Sequence, residues 1–157
     1  MHKVLRTTVI AIACFGLAGC AVSVGERSTG HPFAQHYGAS GLPFSESVQA
    51  GDMLYLAGQI GVAPGTTTLA PGGIEGETRQ AMENIRGVLA RRGLDFDDVV
   101  KCTVMLADMR DWPAFNAAYV PYFTAGRLPA RSAFGSNGLA YGGRIELECW
   151  AYNPQHY

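Results

Sequence analysis

Several chemistries are excluded by what this 157-residue sequence lacks. No serine lies in a Gly-x-Ser-x-Gly turn, and the segment predicted to fold holds no histidine except His156, so a Ser-His-Asp or Cys-His mechanism has no base. The glycine-rich stretches lack the lysine of a phosphate-binding loop and the strand–turn–helix setting of a dinucleotide site. Charged residues make up only 16% of the chain and form no basic block, which argues against a nucleic-acid partner.

The N-terminal segment, residues 1–19, has the pattern of a secretory signal peptide. A short positive start precedes an apolar run at 7–17, which is too brief for a membrane span of roughly 20 residues. The run ends Leu-Ala-Gly-Cys, and this ending resembles the lipobox of bacterial lipoproteins. The resemblance implies lipidation of Cys20, and alanine at position 21 favours the outer membrane, with the domain on its periplasmic face. An ordinary signal peptide with a chance cysteine is the alternative.

The remainder of the chain divides into a tether and one domain. Residues 20–42 are small and polar without a periodic apolar face, so they are interpreted as a flexible tether. Residues 43–157 are long enough for one domain with a real core. Apolar periodicity predicts strands at 44–48, 53–60, 100–106, from 131 and at 145–152, and helices at 74–92 and from 111 through 123. The order β-β-α-β-α-β-β describes an α+β domain whose helices cover one face of the sheet.

Cysteine is too sparse for a metal site. Cys102 and Cys149 are far apart, and His31 and His36 lie in the predicted tether, so no zinc or other metal site is predicted. Each of the two cysteines lies on the apolar face of a predicted strand, which favours buried free thiols. A disulfide between them is the alternative, because an exported location would permit one.

The last two strands bring one arginine and two carboxylates together. Pro129 stiffens the start of the strand at Arg131, whose guanidinium can fork onto a carboxylate through two hydrogen bonds. Residues 145–152 alternate between apolar and polar, so Glu146 and Glu148 share one face. This is equipment for acid–base chemistry on a small substrate that carries its own carboxylate. The alternative is a surface strand with solvated acids. The polar sheet face suggests contact with another subunit.

Six short segments carry a family resemblance in their order and spacing. They are Ala57-Gly58-Gln59-Ile60, Glu77-Thr78-Arg79-Gln80-Ala81, Asp98-Val99-Val100-Lys101, Asn116-Ala117-Ala118-Tyr119, Pro129-Ala130-Arg131-Ser132-Ala133 and Ile145-Glu146-Leu147-Glu148. Together they resemble the Rid (YjgF-type) family of reactive-imine deaminases, over residues 43–152. The resemblance implies a chorismate-mutase-like α+β fold, a homotrimer with active sites between subunits, and no cofactor.

The resemblance also implies roles for individual residues. Arg131 would bind the substrate carboxylate, and Glu146 would lie near the catalytic water. Gly58 would line the pocket, and Asn116 matches a pocket-proximal asparagine, for which a helix-to-loop hydrogen bond is the alternative. The implied reaction is hydrolysis of a 2-imino acid, a small carboxylate substrate, to a 2-keto acid and ammonia.

Two positions depart from the family pattern. Ala133 stands where many members have a cysteine, and Phe44 stands where they have a tyrosine. Backbone groups at Ala133 can still position substrate and water, whereas Phe44 removes one polar contact. A second hypothesis stays open, a non-catalytic, lipid-anchored trimer that binds a small carboxylate ligand or a protein partner, because a deaminase for products of cytosolic enzymes is not expected outside the cytoplasm.

Overall fold

The computed structural model describes residues 34–38 and 41–154. In chain order the elements are β1 (Ala34–Tyr37), β2 (Ser47–Ala50), β3 (Met53–Leu56), β4 (Gln59–Ile60), α1 (Gly73–Ala90), β5 (Val99–Leu106), α2 (Trp112–Tyr119), β6 (Ala130–Gly135) and β7 (Ile145–Tyr152). Both predicted helices are present, and so are the two alternating strands β5 and β7. Gly93, just beyond α1, adopts the left-handed conformation that glycine tolerates at the end of a helix.

One mixed sheet organises the domain. Its strands lie in the order β1-β2-β3-β7-β5-β6, and β4 also pairs with β7. Neighbouring strands are antiparallel except β5 and β6, which run parallel. A parallel pair needs a crossover connection, and α2 lies in that connection. The crossover places β6 at the end of the sheet, with α2 packed against it.

The core lies between one face of the sheet and the two helices. Alternate side chains of β5 and β7 are fully buried there, at Cys102, Val104, Leu106, Ile145, Leu147, Cys149 and Ala151. The first helix buries Ala81, Met82, Ile85 and Leu89 against them. The helices therefore cover one face, as the alternation predicts. The opposite face, which we call the open face, carries half-exposed side chains that include Glu146, Glu148 and Trp150.

The strand predicted at 53–60 is split into β3 and β4. Tyr55 pairs with Trp150, and Gln59 pairs with Leu147. The segment that joins β3 to β4 therefore contains one more residue than the stretch of β7 opposite it. An extra residue of this kind bends a strand and re-aims its side chains, as in a β-bulge. Gly58 lies inside this irregularity, just before β4.

The predicted tether, 20–42, is wrong at residues 34–37. These residues form β1, which pairs with β2 from Ala34 opposite Ala50 to Tyr37 opposite Ser47. The segment has no periodic apolar face of its own, so its sequence does not reveal a strand. Its order comes from backbone pairing with β2. The predicted signal peptide and Cys20 lie outside the described residues. Within the described residues, no helix combines the length and the apolar character that a membrane crossing needs.

The expectation of free thiols at Cys102 and Cys149 is also wrong. The two residues face each other across β5 and β7 and form a disulfide, with their Cα atoms 4.1 Å apart. Alternation alone correctly places both on the buried face. Their pairing depends on the register between two strands that are distant in sequence, which spacing does not reveal.

Candidate active site

Arg131 lies on β6 and points toward the helix-covered face of the sheet. Its guanidinium carbon is 4.7 Å from the centre of the Trp112 ring, 5.4 Å from that of Phe115 and 4.8 Å from that of Tyr119. The three rings follow one another along α2 at helical spacing, so they face the sheet together. We call these three rings the aromatic cage.

The surroundings of Arg131 contain several buried polar atoms without partners. Its Nη1 is buried and forms no hydrogen bond within the described part of the chain, and the same holds for the Tyr119 hydroxyl and for Oδ1 of Asn116. Burial raises the pKa of Tyr119 to about 12, although the charge of Arg131 acts in the opposite direction. The phenol therefore keeps its proton at neutral pH. Buried polar groups are nearly always paired in folded proteins, so this grouping is typical of a binding site.

Glu146 lies on β7, on the open face, and packs against Gly58. A Cβ atom placed on Gly58 would lie 2.9 Å from the carboxyl carbon of Glu146 and closer still to its Oε1. Glycine is therefore required here for the carboxylate to occupy this position. Burial raises the pKa of Glu146, and the neighbouring charge of Glu148 raises it further. Glu148 itself accepts a hydrogen bond of 2.7 Å from the indole nitrogen of Trp150.

The predicted proximity of Arg131 to Glu146 and Glu148 is wrong within one chain. Arg131 pairs with Cys102, whose side chain is buried on the helix side, while Glu146 pairs with the half-exposed Met105. Side chains of directly opposed residues lie on the same face of a sheet. Arg131 and Glu146 therefore lie on opposite faces, and a single chain does not present both to one ligand.

Three of the other predicted site residues lie at these two places. Ala133 is two residues beyond Arg131 on the same strand, so it shares the helix-covered face and packs against the core. Asn116 lies on α2 beside the aromatic cage, and Gly58 lies against Glu146. Phe44 is 56% exposed in the segment before β2. We call the surroundings of Arg131 the arginine half-site and the surroundings of Glu146 the glutamate half-site.

The aromatic cage is the part of the site that sequence reasoning missed. Trp112, Phe115 and Tyr119 form an aromatic stripe at helical spacing, and such a stripe is usually interpreted as core packing. The available signal was the combination of this stripe with an arginine on the next strand.

One depression of the surface lies apart from both half-sites. This depression, of about 400 Å³ between α1 and α2, is lined by Arg79, Glu83, Arg86, Ala117, Ala118, Pro121 and Tyr122. It contains none of the predicted site residues. Across residues 34–38 and 41–154, no group of three or more His, Cys, Asp or Glu side chains is placed to hold a metal ion.

The sheet order, the two helices on one face and the arginine on β6, at the end of the sheet, define an α+β domain of the YjgF type. The family model described as Endoribonuclease L-PSP matches residues 36–153. The 2-iminobutanoate/2-iminopropanoate deaminase of Mus musculus is 43% identical over 109 residues, which cover 69% of this chain and 80% of the mouse protein. A RutC family protein of Pyrococcus horikoshii is 40% identical over 110 residues, which cover 70% of this chain and 86% of that protein.

Solved structures agree with these sequence matches. The crystal structure of RidA from the Antarctic bacterium Psychrobacter sp. matches with a TM-score of 0.66 and 32% identity, covering 74% of this chain and 93% of that chain. The structure of yeast Mmf1 matches with a TM-score of 0.68 and 29% identity, covering 75% of this chain and 93% of that chain. The chain therefore belongs to the Endoribonuclease L-PSP family, which is the Rid (YjgF-type) family that its motifs resemble, and it has that family's fold.

Proposed function

We propose that this protein hydrolyses 2-imino acids, and the enamines that tautomerise to them, to 2-keto acids and ammonia. The observation that carries the proposal is the Arg131 guanidinium, which has no acidic partner within the described residues. A guanidinium pairs best with a planar anion, and the carboxylate of an imino acid has that shape. The name of the mouse relative, a deaminase of 2-iminobutanoate and 2-iminopropanoate, supports the same substrate class.

In the proposed mechanism, Arg131 fixes the substrate carboxylate so that the electrophilic carbon of the N-protonated imine faces a water molecule near Glu146. Holding the reactants in this geometry removes part of the entropic barrier. The Glu146 carboxylate accepts a proton from the water as its oxygen adds to the carbon, and the C=N electron pair moves to nitrogen. Glu146 then returns the proton to nitrogen to form a C–NH3⁺ group. As the C–N bond breaks and the carbonyl forms, the Glu146 carboxylate takes up the hydroxyl proton and passes it to the departing ammonia, which leaves as ammonium. The raised pKa of Glu146 favours these proton transfers.

The active site that we propose is shared between copies of the chain. Because the two half-sites lie on opposite faces of one sheet, one ligand reaches both only if Arg131 comes from one copy and Glu146 from another. The open face offers a surface for such an assembly, since Phe134 and Tyr152 are about half exposed on it. We therefore propose a homotrimer, the assembly that the family resemblance implies, in which a ring of identical interfaces completes every site.

The activity is tested with 2-iminobutanoate and 2-iminopropanoate produced in situ by an amino-acid oxidase, with the remaining imine trapped by semicarbazide. Full-length protein in detergent should lower the trapped imine, and Arg131→Ala should abolish the effect. Arg127→Ala is the matched control, because this nearby exposed arginine pairs with Asp97 instead. Unchanged trapping by a folded trimer would reject small imino acids as substrates and favour a non-catalytic, carboxylate-binding trimer.

Sharing of the site is tested by mixing two inactive variants, Arg131→Ala and Glu146→Gln. After the subunits are unfolded together and refolded, mixed trimers should recover about a quarter of the wild-type activity, because each interface has an even chance of receiving either intact residue. A site contained within one chain predicts no recovery. Light scattering of the mixture gives the number of subunits independently.

We also propose that the protein is exported and anchored in the cell envelope through lipidated Cys20, on the periplasmic side of the outer membrane. The disulfide between Cys102 and Cys149 supports this location, since such bonds persist in oxidising compartments. Cys20→Ala should prevent labelling by a radioactive fatty acid and move the protein from the membrane fraction to the aqueous fraction. An unlabelled wild-type protein would refute lipidation.

We do not propose RNA as a substrate, although the family description includes the word endoribonuclease. The formal net charge is −1, and the sequence has no basic block. Phosphate contacts by basic side chains supply most of the affinity of proteins for nucleic acids. Retention of the purified protein on an RNA column at moderate salt would contradict this view.

A further inference from the structure

We propose that Trp112, Phe115 and Tyr119 are positioning residues, which hold the Arg131 guanidinium in place for the substrate carboxylate without using its hydrogen-bond donors. The inference rests on the proposed function, in which Arg131 anchors the substrate. It goes beyond that function by assigning a role to three aromatic side chains of α2.

Arg131 is held differently from most arginines of this domain. Among the eight described arginines, six form ion pairs with an aspartate or glutamate, at Arg79, Arg86, Arg91, Arg110, Arg127 and Arg144. Arg92 and Arg131 form none within the described residues, and both lie over aromatic rings. Arg92 contacts the single ring of Tyr37, whereas Arg131 contacts three rings.

The aromatic cage is rigid. Phe115 and Tyr119 are almost completely buried, and their ring centres lie 5.2 Å apart. The stack continues to Trp112 on one side, at 5.8 Å, and to Phe123 on the other, at 4.8 Å. A guanidinium resting on such closely packed rings has little freedom to move.

The cage stabilises the positive charge without neutralising it. Ring faces attract a cation through their quadrupole, and desolvated pairs of this kind are the strongest. A carboxylate partner would instead occupy the planar fork of the guanidinium and would have to be displaced by the substrate. Nη1 of Arg131 remains unpaired within the described residues. The rings thus fix the position of Arg131, and no carboxylate among the described residues competes with the substrate for its guanidinium.

The experiment removes one ring at a time from the full-length protein in detergent. In Trp112→Leu and in Tyr119→Leu, both the KM for 2-iminobutanoate and the Kd for the product 2-oxobutanoate should rise about tenfold. The kcat should change by less than about threefold, because the cage affects ground-state and transition-state binding alike. Tyr119→Phe keeps the ring and removes only the hydroxyl, so KM and Kd should rise less than in Tyr119→Leu; an equal rise would assign the effect to the hydroxyl and refute the role of the ring.

Phe123→Leu is the matched control for loss of aromatic packing. Phe123 belongs to the same stack, but no contact joins its ring to the Arg131 guanidinium. It should lower the melting temperature much as Tyr119→Leu does and leave KM and Kd unchanged. If Tyr119→Leu does not fold, the partly buried Trp112 supplies the decisive variant. The ¹⁵N-resolved NMR signal of Arg131 Nε–H should lose its ring-current shift in proportion to the rings removed.

The outcomes separate this inference from the proposed function. Active wild-type protein whose KM and Kd do not respond to Trp112→Leu or Tyr119→Leu would refute the cage and keep the deaminase. Wild-type protein that is inactive but binds 2-oxobutanoate in a ring-dependent manner would refute the deaminase and keep the cage. Equal loss of affinity in Phe123→Leu would show that packing alone is responsible. Protein that neither hydrolyses imines nor binds 2-oxobutanoate would overturn both.

Discussion

Replacing Gly58 by alanine should disable Glu146 while leaving the fold intact. The added Cβ would lie 2.9 Å from the Glu146 carboxyl carbon and 3.1 Å from its Cγ, with Oε1 closer still, whereas ordinary contacts begin at 3.4 Å. Gly58 is not in the left-handed region, so alanine fits its backbone. The carboxylate must therefore move by about 1 Å, and a displacement of this size at a reacting group costs on the order of 100-fold in rate.

The stability cost of Gly58→Ala should be small, because the clash involves the end of a side chain that can rotate. Moving Glu146 out of its preferred rotamer costs about 1 kcal/mol. Gly61→Ala is the contrasting variant, since its Cβ would lie 2.5 Å from both Cα and Cβ of Glu77, on the backbone of α1. That clash requires the helix to shift, so Gly61→Ala should lower the free energy of unfolding by about 1–3 kcal/mol, as overpacking does.

Semicarbazide trapping gives kcat/KM for the two glycine variants, and urea denaturation gives their stability. The expected pattern is a folded, nearly inactive Gly58→Ala and a destabilised Gly61→Ala whose remaining folded protein is active. A folded Gly58→Ala with wild-type kcat/KM would refute the argument that the position of the Glu146 carboxylate controls the reaction.

Three further variants test separate parts of the reasoning. In a pH–rate profile, kcat/KM should fall at low pH with an apparent pKa above the ordinary glutamate value of 4.5, because burial and the charge of Glu148 raise the pKa of Glu146, whose ionised form is the base. Glu148→Gln removes that charge and should move the fall to lower pH. The double variant Cys102→Ala/Cys149→Ala should lose about 4 kcal/mol in urea denaturation, since the disulfide closes a loop of 47 residues; an unchanged midpoint would contradict this. Arg131→Lys should raise KM about tenfold or more, because lysine cannot form the two parallel hydrogen bonds by which a guanidinium binds a carboxylate.

The sequence predicted the elements of the fold better than their relations. Alternation in β5 and β7 and the helical period of α1 are local patterns, and they correctly identified the buried side chains except at Val100. Val100 is 43% exposed, because a register shift between Val99 and Lys101 buries Val99 instead. Local sequence does not determine the face of the sheet on which Arg131 or Glu146 lies, because that face depends on which residue of β5 is opposite. Only the register, Cys102 beside Arg131 and Met105 beside Glu146, reveals that the two groups point in opposite directions.

The same limitation explains the two errors near the start of the domain. The segment at 34–37 becomes a strand only because β2 pairs with it, and nothing in its own residues predicts that partner. The break between β3 and β4 is a mismatch of register along β7. That mismatch places Gly58 against Glu146, so the irregularity and the site have the same origin.

Two glutamates of this domain differ in whether their buried carboxylates have hydrogen-bond partners. Glu77 is 4% exposed, and its Oε2 accepts a hydrogen bond of 2.7 Å from the backbone N–H of Arg144, so its burial is compensated. Burial raises the pKa of Glu146, and its side chain forms no hydrogen bond or ion pair within the described residues. Among the arginines, Arg131 likewise has no acidic partner within the described residues. A chain selected for stability alone would pair both groups, as it pairs Glu77, and their placement on opposite faces prevents them from pairing with each other. Each therefore remains available for a ligand, at a cost in stability that the rest of the domain avoids.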